Sequence, residues 1–483
     1  MMGENDEEMD ATVLVSSKSR ELIGTKDLSC KRLCDLPDEI LLWVLDCLST
    51  RSALRMSMLS KRWKQLSKSI PSLVFDEEDF FERTQFLNFV EGALSFRDLS
   101  PLKVFSLSCY VDDKESQVNT WVNGAMRRKV QELRLCLVVE IDRPVEYTLP
   151  CSIFRCETLV EFHLEMFYDI RVPSVVCLPN LKVLTLDHVG FVNDISFEKL
   201  LSCPSLEEVS LKSCRCRQIE VLNIGAPNLL KLSIFQPDFF AGLNRHCQLR
   251  IHGARIKSLQ YHGPYGGGDH TISCPSSLVE AVIVVFYPAE ENPDQCGDRV
   301  FKLLKGLSNV ERLTLFYEGL WDMNEREDLL DSFPVFRSLT QLKFDISPVY
   351  LDCRALQVML SQSPCLRSLV FAEGLIEDSE LDGWMLDPVP ECFLSSLKEI
   401  RICNFNAFEF ELSAVRVLLA TALVLEKLFI HCSRYYKKKF RGNLMKHLMK
   451  LPQASDQCAI SLEFREKCSA CSREFDLLGN QSD

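Results

Sequence analysis

Apolar residues near the N-terminus recur with the spacing of an α-helix. Pro37 suits a first helical turn, where an N–H group has no helical acceptor, and the carboxylates of Asp38 and Glu39 suit the positive end of the helix dipole. Five apolar residues then collect on one helical face. They are Ile40, Leu41, Val44, Leu45 and Leu48. The pattern predicts a helix that begins near residue 37.

Two shorter helices are predicted next. Thr50 is a suitable N-cap for the second helix and Ser60 for the third, because their hydroxyl groups can accept from free N–H groups. The apolar residues of these helices are Ala53, Leu54 and Met56, then Trp63, Leu66 and Ile70. Three helices within about 40 residues bury little surface alone, so we expect the bundle to dock on a partner or a neighbouring domain. A simple N-terminal cap on the following domain is the alternative.

From about residue 100 onward one short pattern returns: an apolar residue, two others, an apolar residue, one other, and an apolar residue. The last two apolar positions alternate as in a strand that is buried on one face. The pattern occurs thirteen times, starting at Leu102, Val130, Leu159, Leu181, Leu206, Leu229, Ile256, Leu278, Val310, Leu339, Leu366, Leu397 and Leu425. Chance explains one copy, but not thirteen in order.

The spacing between copies indicates a repeat protein. Successive first positions are 25 residues apart from 181 to 206, 23 from 206 to 229 and 32 from 278 to 310, close to the period of leucine-rich repeats. Each unit is then a helix, a turn and a short strand. The predicted fold is an α/β solenoid of irregular repeats, with parallel strands on the concave face and helices on the convex face.

Composition and charge narrow the possible partners. The 483 residues are 47% hydrophobic and 25% charged, as in a folded protein, and the formal charge is −13. This negative charge argues against nucleic acid as the main partner, because binding to phosphates needs clustered cations. The basic run 434–441 (RYYKKKFR) is a local exception that could bind a strand or act as a nuclear-import signal. A solvated loop is the favoured interpretation.

The sequence favours an intracellular protein, in the nucleus, the cytoplasm or both. Its acidic start lacks the apolar stretch of a signal peptide, and no run reaches the length of a membrane span. The 22 cysteines are scattered through a long chain. Most are therefore expected to be buried thiols that pack as small hydrophobic groups.

No catalytic, cofactor-binding or metal-binding constellation is recognisable. The glycines at 266–268 lack the following Lys-Ser/Thr pair of a phosphate loop. Cys214 with Cys216 and Cys468 with Cys471 could each supply two thiolates, but a structural zinc site needs four ligands. We therefore expect a chain that is not an enzyme and that needs no cofactor.

The N-terminal helices resemble the F-box of plant proteins. The similarity covers roughly residues 32–76 and is carried by residues 36–41 (LPDEIL) and 59–63 (LSKRW). It implies that the bundle binds the Skp-type adaptor of an SCF (Skp–cullin–F-box) ubiquitin ligase. The residues that the resemblance places at or directly behind the adaptor interface are Leu36, Pro37, Ile40, Leu41, Leu45, Leu59 and Trp63.

The repeats resemble those of the plant F-box/FBD/leucine-rich-repeat family. Segments 389–398 (VPECFLSSLK), 425–428 (LEKL) and 451–455 (LPQAS), with Trp384 upstream, resemble its FBD region. The implied organisation is a lead-in at 1–30, the F-box at 31–76, the solenoid at 77–385, the FBD region with the last repeats at 386–462, and a tail at 463–483. We expect the FBD region to cap the solenoid.

The resemblance implies a substrate-recognition subunit of an SCF ubiquitin ligase. The F-box would bind the Skp-type adaptor, and through it a cullin scaffold, while the repeats would bind a protein target. A receptor needs no catalytic residue, since holding a target close to the ubiquitin-charged enzyme raises its effective concentration. Two alternatives are a non-catalytic interaction scaffold and a receptor that binds a small molecule with its target. The sequence identifies neither the target nor a role for the FBD region.

Overall fold

The computed structural model describes residues 36–111, 114–138, 148–191, 194–216, 221–235, 248–264, 271–273, 277–286, 293–316, 318–350, 352–376, 386–432 and 438–464. The predicted lead-in, the glycines at 266–268, Trp384, residues 434–437 of the basic run and the Cys468–Cys471 pair lie outside these ranges. Among the described residues, no helix is both long and apolar enough to cross a membrane.

Thirteen α-helices occur in the described residues. They are α1 (Asp38–Asp46), α2 (Thr50–Arg55), α3 (Lys61–Ser67), α4 (Arg83–Phe96), α5 (Glu115–Arg127), α6 (Asp194–Leu201), α7 (Pro293–Gly306), α8 (Glu318–Trp321), α9 (Glu327–Asp331), α10 (Arg354–Ser361), α11 (Glu391–Ser395), α12 (Glu409–Thr421) and α13 (Lys438–Leu448). Short 3-10 turns lie at Met56–Met58, Glu77–Asp79 and Ile153–Arg155.

The first three helices form the predicted bundle, with two corrections. The Ser60 hydroxyl caps α3 by accepting from the Trp63 N–H group at 3.3 Å, as predicted. Helix α2, however, is capped by Ser49, which accepts from the Ser52 N–H group at 3.3 Å. Helix α3 ends at Ser67, so Ile70 is not helical, although it is buried with the bundle core. That core consists of Leu41, Leu45, Ala53, Trp63, Leu66 and Ile70.

One long sheet fills most of the chain. Its fifteen strands, all paired in parallel, run in the order β1 (Ser72–Asp76), β2 (Val104–Tyr110), β3 (Glu132–Val138), β4 (Glu161–Met166), β6 (Val183–Asp187), β8 (Glu208–Lys212), β11 (Lys231–Phe235), β13 (Ser258–Pro264), β15 (Glu280–Phe286), β16 (Arg312–Phe316), β17 (Gln341–Asp345), β19 (Ser368–Phe371), β21 (Glu399–Phe405), β22 (Lys427–Cys432) and β23 (Ala459–Glu463).

Every predicted strand is present, and the sheet has one further strand at each end. Strand β1 carries the same pattern as the other repeats, with Ile70, Leu73 and Phe75 buried. Before β23, the first position of the pattern is the exposed Gln457, so the pattern is broken in this last repeat. The apolar positions of neighbouring strands are in register, for example Leu73 with Phe105. Their side chains form one continuous core along the solenoid.

The element that packs on the buried face of the sheet differs from repeat to repeat. Three neighbouring repeats have short strands before the turn, which pair as a separate ladder in parallel: β10 (Val221–Ile224), β12 (Gln248–His252) and β14 (Thr271–Ser273). The first positions of these repeats are 23, 27 and 22 residues apart, from 206 to 278. An extended chain rises about 3.3 Å per residue against 1.5 Å in a helix, so these strands need about half as many residues as a helix of the same length.

Further two-residue strands follow some of the main strands. They are β5 (Asp169–Ile170), β7 (Gly190–Phe191) and β9 (Arg215–Cys216) in one ladder, and β18 (Val349–Tyr350) with β20 (Leu375–Ile376) in another.

The helical bundle is joined directly to the edge of the sheet. The Thr50 hydroxyl, which is buried, accepts from the Val74 N–H group of β1 at 2.8 Å. The buried Arg97 guanidinium donates to the carbonyl oxygens of Ile70 and Pro101, and its burial lowers its pKa to about 10. The sequence places residues 31–76 in one F-box unit, but β1 within that range is part of the sheet, because Leu73 and Phe75 pack in the solenoid core.

Candidate partner-binding surfaces

The N-terminal bundle exposes five large apolar side chains. The exposed side chains are Ile40 (45% exposed), Trp43 (66%), Leu48 (39%), Met58 (86%) and Leu59 (63%). Large apolar residues grouped on so small a unit are typical of a protein-binding surface. Trp43 and Met58 are the kinds of side chain that anchor interfaces.

The seven residues implied by the resemblance divide into two groups. Leu36 is half-buried, and Pro37, Ile40 and Leu59 are exposed. Leu41, Leu45 and Trp63 are buried in the bundle core. The first group can contact a partner directly, whereas the second can only support the surface from behind.

Arg62 holds two parts of this surface together. Its guanidinium donates to the Asp38 carboxylate at 2.9 Å and to the Leu36 carbonyl oxygen at 2.6 Å. Arg62 lies in α3, three residues after Leu59, and Asp38 is the first residue of α1. The pair therefore brings Leu36 and Pro37 to the same end of the bundle as the start of α3.

Sequence reasoning missed Trp43, Leu48 and Met58 as surface residues. Helix α1 has apolar side chains around more than half of its circumference, but only Leu41 and Leu45 are fully buried. A helix this apolar in so small a bundle has more apolar surface than its neighbours can cover. That excess is the signal that could have identified Trp43.

A second candidate surface is the open face of the sheet, which we define as the face of the fifteen strands opposite the helices. Its middle row consists of the residues between the two buried positions of each strand. From β2 to β13 these are Ser106, Arg134, His163, Thr185, Ser210, Ser233 and Gln260. All are polar and none is buried. Burial lowers the pKa of His163, which favours its neutral form.

The open face changes character from β15 onward. Val282, Val284 and Phe316 form a small apolar cluster that is separate from the main core. Beside it, the Lys343 ammonium group and the Asp345 carboxylate form an ion pair at 2.8 Å, with both side chains only 7% exposed. Burial and the charge of Asp345 raise the pKa of Glu373, whereas a hydrogen bond from Asn404 opposes this shift. The face therefore offers polar groups in its first half and apolar and paired ionic groups in its second.

The cysteine pair Cys214–Cys216 has one buried thiol. Cys214 is 2% exposed, and burial raises its pKa to about 12, so its thiol stays protonated at neutral pH. Metal binding requires the thiolate. In the described ranges, no group of three or more His, Cys, Asp or Glu residues is arranged to hold a metal ion.

Two family models match the chain. The F-box domain model covers residues 33–75, which contain the bundle. The model described as "FBD-associated F-box protein At5g56370, LRR repeats" covers residues 118–252, which extend from α5 to β12. Each match therefore falls on one of the two candidate surfaces.

Relatives from Arabidopsis thaliana are similar over nearly the whole chain. F-box/LRR-repeat protein 13 is 29% identical over 440 residues, which are 87% of this chain and 93% of the relative. FBD-associated F-box protein At5g22730 is 28% identical over 451 residues, 88% of this chain and 92% of the relative. F-box/FBD/LRR-repeat protein At1g78750 is 29% identical over 455 residues, 89% and 95% respectively.

Proposed function

We propose that this chain, which is similar to plant F-box/FBD/LRR-repeat proteins, is the substrate-recognition subunit of an SCF ubiquitin ligase. In this role the bundle α1–α3 binds a Skp-type adaptor, through which a cullin scaffold is recruited. The open face of the sheet binds a protein target. We expect a protein with this role to act in the nucleus, the cytoplasm or both.

The exposed apolar surface of the bundle is the observation that carries the proposal. Ile40, Trp43 and Leu59 are exposed on a unit whose own core contains six buried apolar residues. Burying such side chains against a partner stabilises a complex by about 25 cal/mol per Å² of apolar surface. An adaptor would cover surface that the chain itself leaves in water.

The contacts between the bundle and the sheet fix the position of one relative to the other. The hydrogen bonds from Val74 to Thr50 and from Arg97 to Ile70 and Pro101 hold the bundle on the first strand. A target on the open face would therefore be held at a fixed position relative to the adaptor. Proximity of this kind supplies effective concentration, and no catalytic residue of this chain is needed.

The proposal predicts that the exposed residues, and not only the buried ones, determine adaptor affinity. The double variant Ile40→Ser/Leu59→Ser should weaken binding of a purified plant Skp-type adaptor by at least about tenfold, or about 1.4 kcal/mol. Both residues are exposed, so the fold should be retained. The affinity would be measured by isothermal titration calorimetry, with circular dichroism as the check on folding.

Phe81→Ser/Leu99→Ser is the matched control, since these apolar residues are 98% and 85% exposed outside the bundle. It should bind the adaptor like the wild type. Equal affinity of both double variants, or no binding by the wild type, would refute the proposal. If the adaptor binds but a cullin does not join the complex, the chain is an interaction scaffold instead.

A further inference from the structure

The helical bundle has a charge opposite to that of the whole chain. Between Asp46 and Asp76 there is no Asp or Glu. The same stretch contains six cationic residues: Arg51, Arg55, Lys61, Arg62, Lys64 and Lys68. The full chain, in contrast, has a formal charge of −13. Helices α2 and α3 therefore form a local positive surface on an acidic protein.

Three of the six cations have partners within the chain. Arg62 pairs with Asp38. The Arg51 guanidinium lies 4.8 Å from the centroid of the Phe80 ring, and the Lys68 ammonium group lies 5.9 Å from that of Phe96. These contacts direct Arg51 and Lys68 toward the first repeat of the solenoid.

The other three cations, which we call the cationic face, are Arg55, Lys61 and Lys64. All three are exposed, and none forms an ion pair with another residue in the described part of the chain. Lys61 and Lys64 are three residues apart and share one side of α3. Arg55 precedes and Lys61 follows the exposed pair Met58 and Leu59 in the sequence. The cationic face is thus continuous with the apolar surface assigned to the adaptor.

We propose that the cationic face binds an acidic surface of the adaptor and accelerates its association. This inference rests on the proposed function. Opposite charges at the margin of an apolar contact steer the encounter of two proteins and act mainly on the association rate. Side chains at an exposed margin add little to the affinity at high salt, because ions screen them.

The surroundings favour a protein carboxylate surface over a nucleic acid. Strong binding of nucleic acid at physiological salt needs many phosphate contacts, and this face has three unpaired cations. The adjoining Met58 and Leu59 are apolar, are 86% and 63% exposed, and would gain nothing from phosphate. A protein partner can cover both kinds of surface at once.

The test is the association rate of a purified plant Skp-type adaptor with the full chain at low and high salt. The variant Arg55→Glu/Lys61→Glu/Lys64→Glu should lower this rate about 10- to 100-fold at low ionic strength. The dissociation rate should change by less than about threefold, because rim charges act mainly on association. At about 0.5 M salt, where the screening length is only a few Å, the difference between variant and wild type should largely disappear.

The matched control is Lys257→Glu/Arg337→Glu/Lys450→Glu. These cations are exposed on the solenoid, and the triple change alters the net charge by the same amount. A rate that falls equally in both variants would show that only total charge matters, and would overturn the inference. A rate that is unchanged in both would overturn it too.

Two further outcomes separate the hypotheses. If the adaptor does not bind the wild type at any salt concentration, the proposed function itself fails. If the adaptor binds at the same rate to wild type and variant, but a 20-base-pair DNA duplex binds the wild type and not the variant, the face is a nucleic-acid site and the inference is wrong.

Discussion

At the scale of single residues, Lys343 and Asp345 form a buried ion pair on the open face. Both side chains are 7% exposed, and their charged atoms are 2.8 Å apart. The residues are two positions apart on β17, so both face the open side of the sheet. Removing one member of a buried pair leaves the other charge without compensation, which costs more than removing both.

We expect Lys343→Met to destabilise the protein by about 3 kcal/mol, and Lys343→Met/Asp345→Leu to recover most of this loss. Urea denaturation followed by circular dichroism would measure the difference. Lys398→Met serves as the control, because the Lys398–Glu426 pair has side chains that are 52% and 45% exposed and should contribute less than about 1 kcal/mol. A loss at Lys343 no larger than that at Lys398 would contradict the prediction.

At the scale of elements, the pattern of apolar residues predicts strands better than it predicts what precedes them. All thirteen predicted strands are present, since alternation places every second side chain in the core. The segment before the turn is a helix in some repeats, such as those that contain α6 and α10, and a strand in the three that contain β10, β12 and β14. Repeat length does not decide between them: the repeats from 229 to 256 and from 339 to 366 are both 27 residues long, and the first contains β12 whereas the second contains α10.

Strand β23 is the last strand of the sheet and covers the edge of β22. Strand β23 pairs with β22 from Lys427↔Ala459 to His431↔Glu463, and Ile460 is buried against the core. A chain that ends at Ser455 should therefore expose the N–H and C=O groups of β22. We expect it to unfold at a lower temperature than the full chain and to associate with other copies at higher protein concentration. Thermal denaturation and light scattering measure both effects. A chain that ends at Phe464 retains β23 and is the control; identical behaviour of the two truncations would disprove the protective role.

At the scale of the whole molecule, the joint between bundle and sheet couples two units of different kinds. Arg97, 6% exposed, donates to carbonyl oxygens on both sides of the joint, at Ile70 and Pro101. Backbone bonds from Asp98 to Lys68 and from Lys103 to Pro71 lie beside it. These contacts tie the bundle to the solenoid more firmly than a flexible linker would.

Replacing Arg97 by Gln should loosen the joint, because the carbonyl oxygens of Ile70 and Pro101 lose a charged donor. We expect faster hydrogen–deuterium exchange in α1–α3 and β1, and unchanged exchange in β16 and β17. Arg127→Gln, at an exposed position of α5, is the control and should leave both regions as in the wild type. Unchanged exchange in the bundle of Arg97→Gln would show that Arg97 does not hold the joint.

The sequence by itself determined the repeated strands, the helical bundle and the family resemblance, because these depend on local spacing. The sequence resemblance assigned residues 72–76 to the F-box, and only the tertiary structure showed that they form β1 of the sheet. Only the tertiary structure showed that Ile40 is exposed whereas Leu41 is buried. It also showed that Arg97 donates to the carbonyl oxygens of Ile70 and Pro101. Periodicity tells which residues share a face of an element; what covers that face depends on residues distant in the chain.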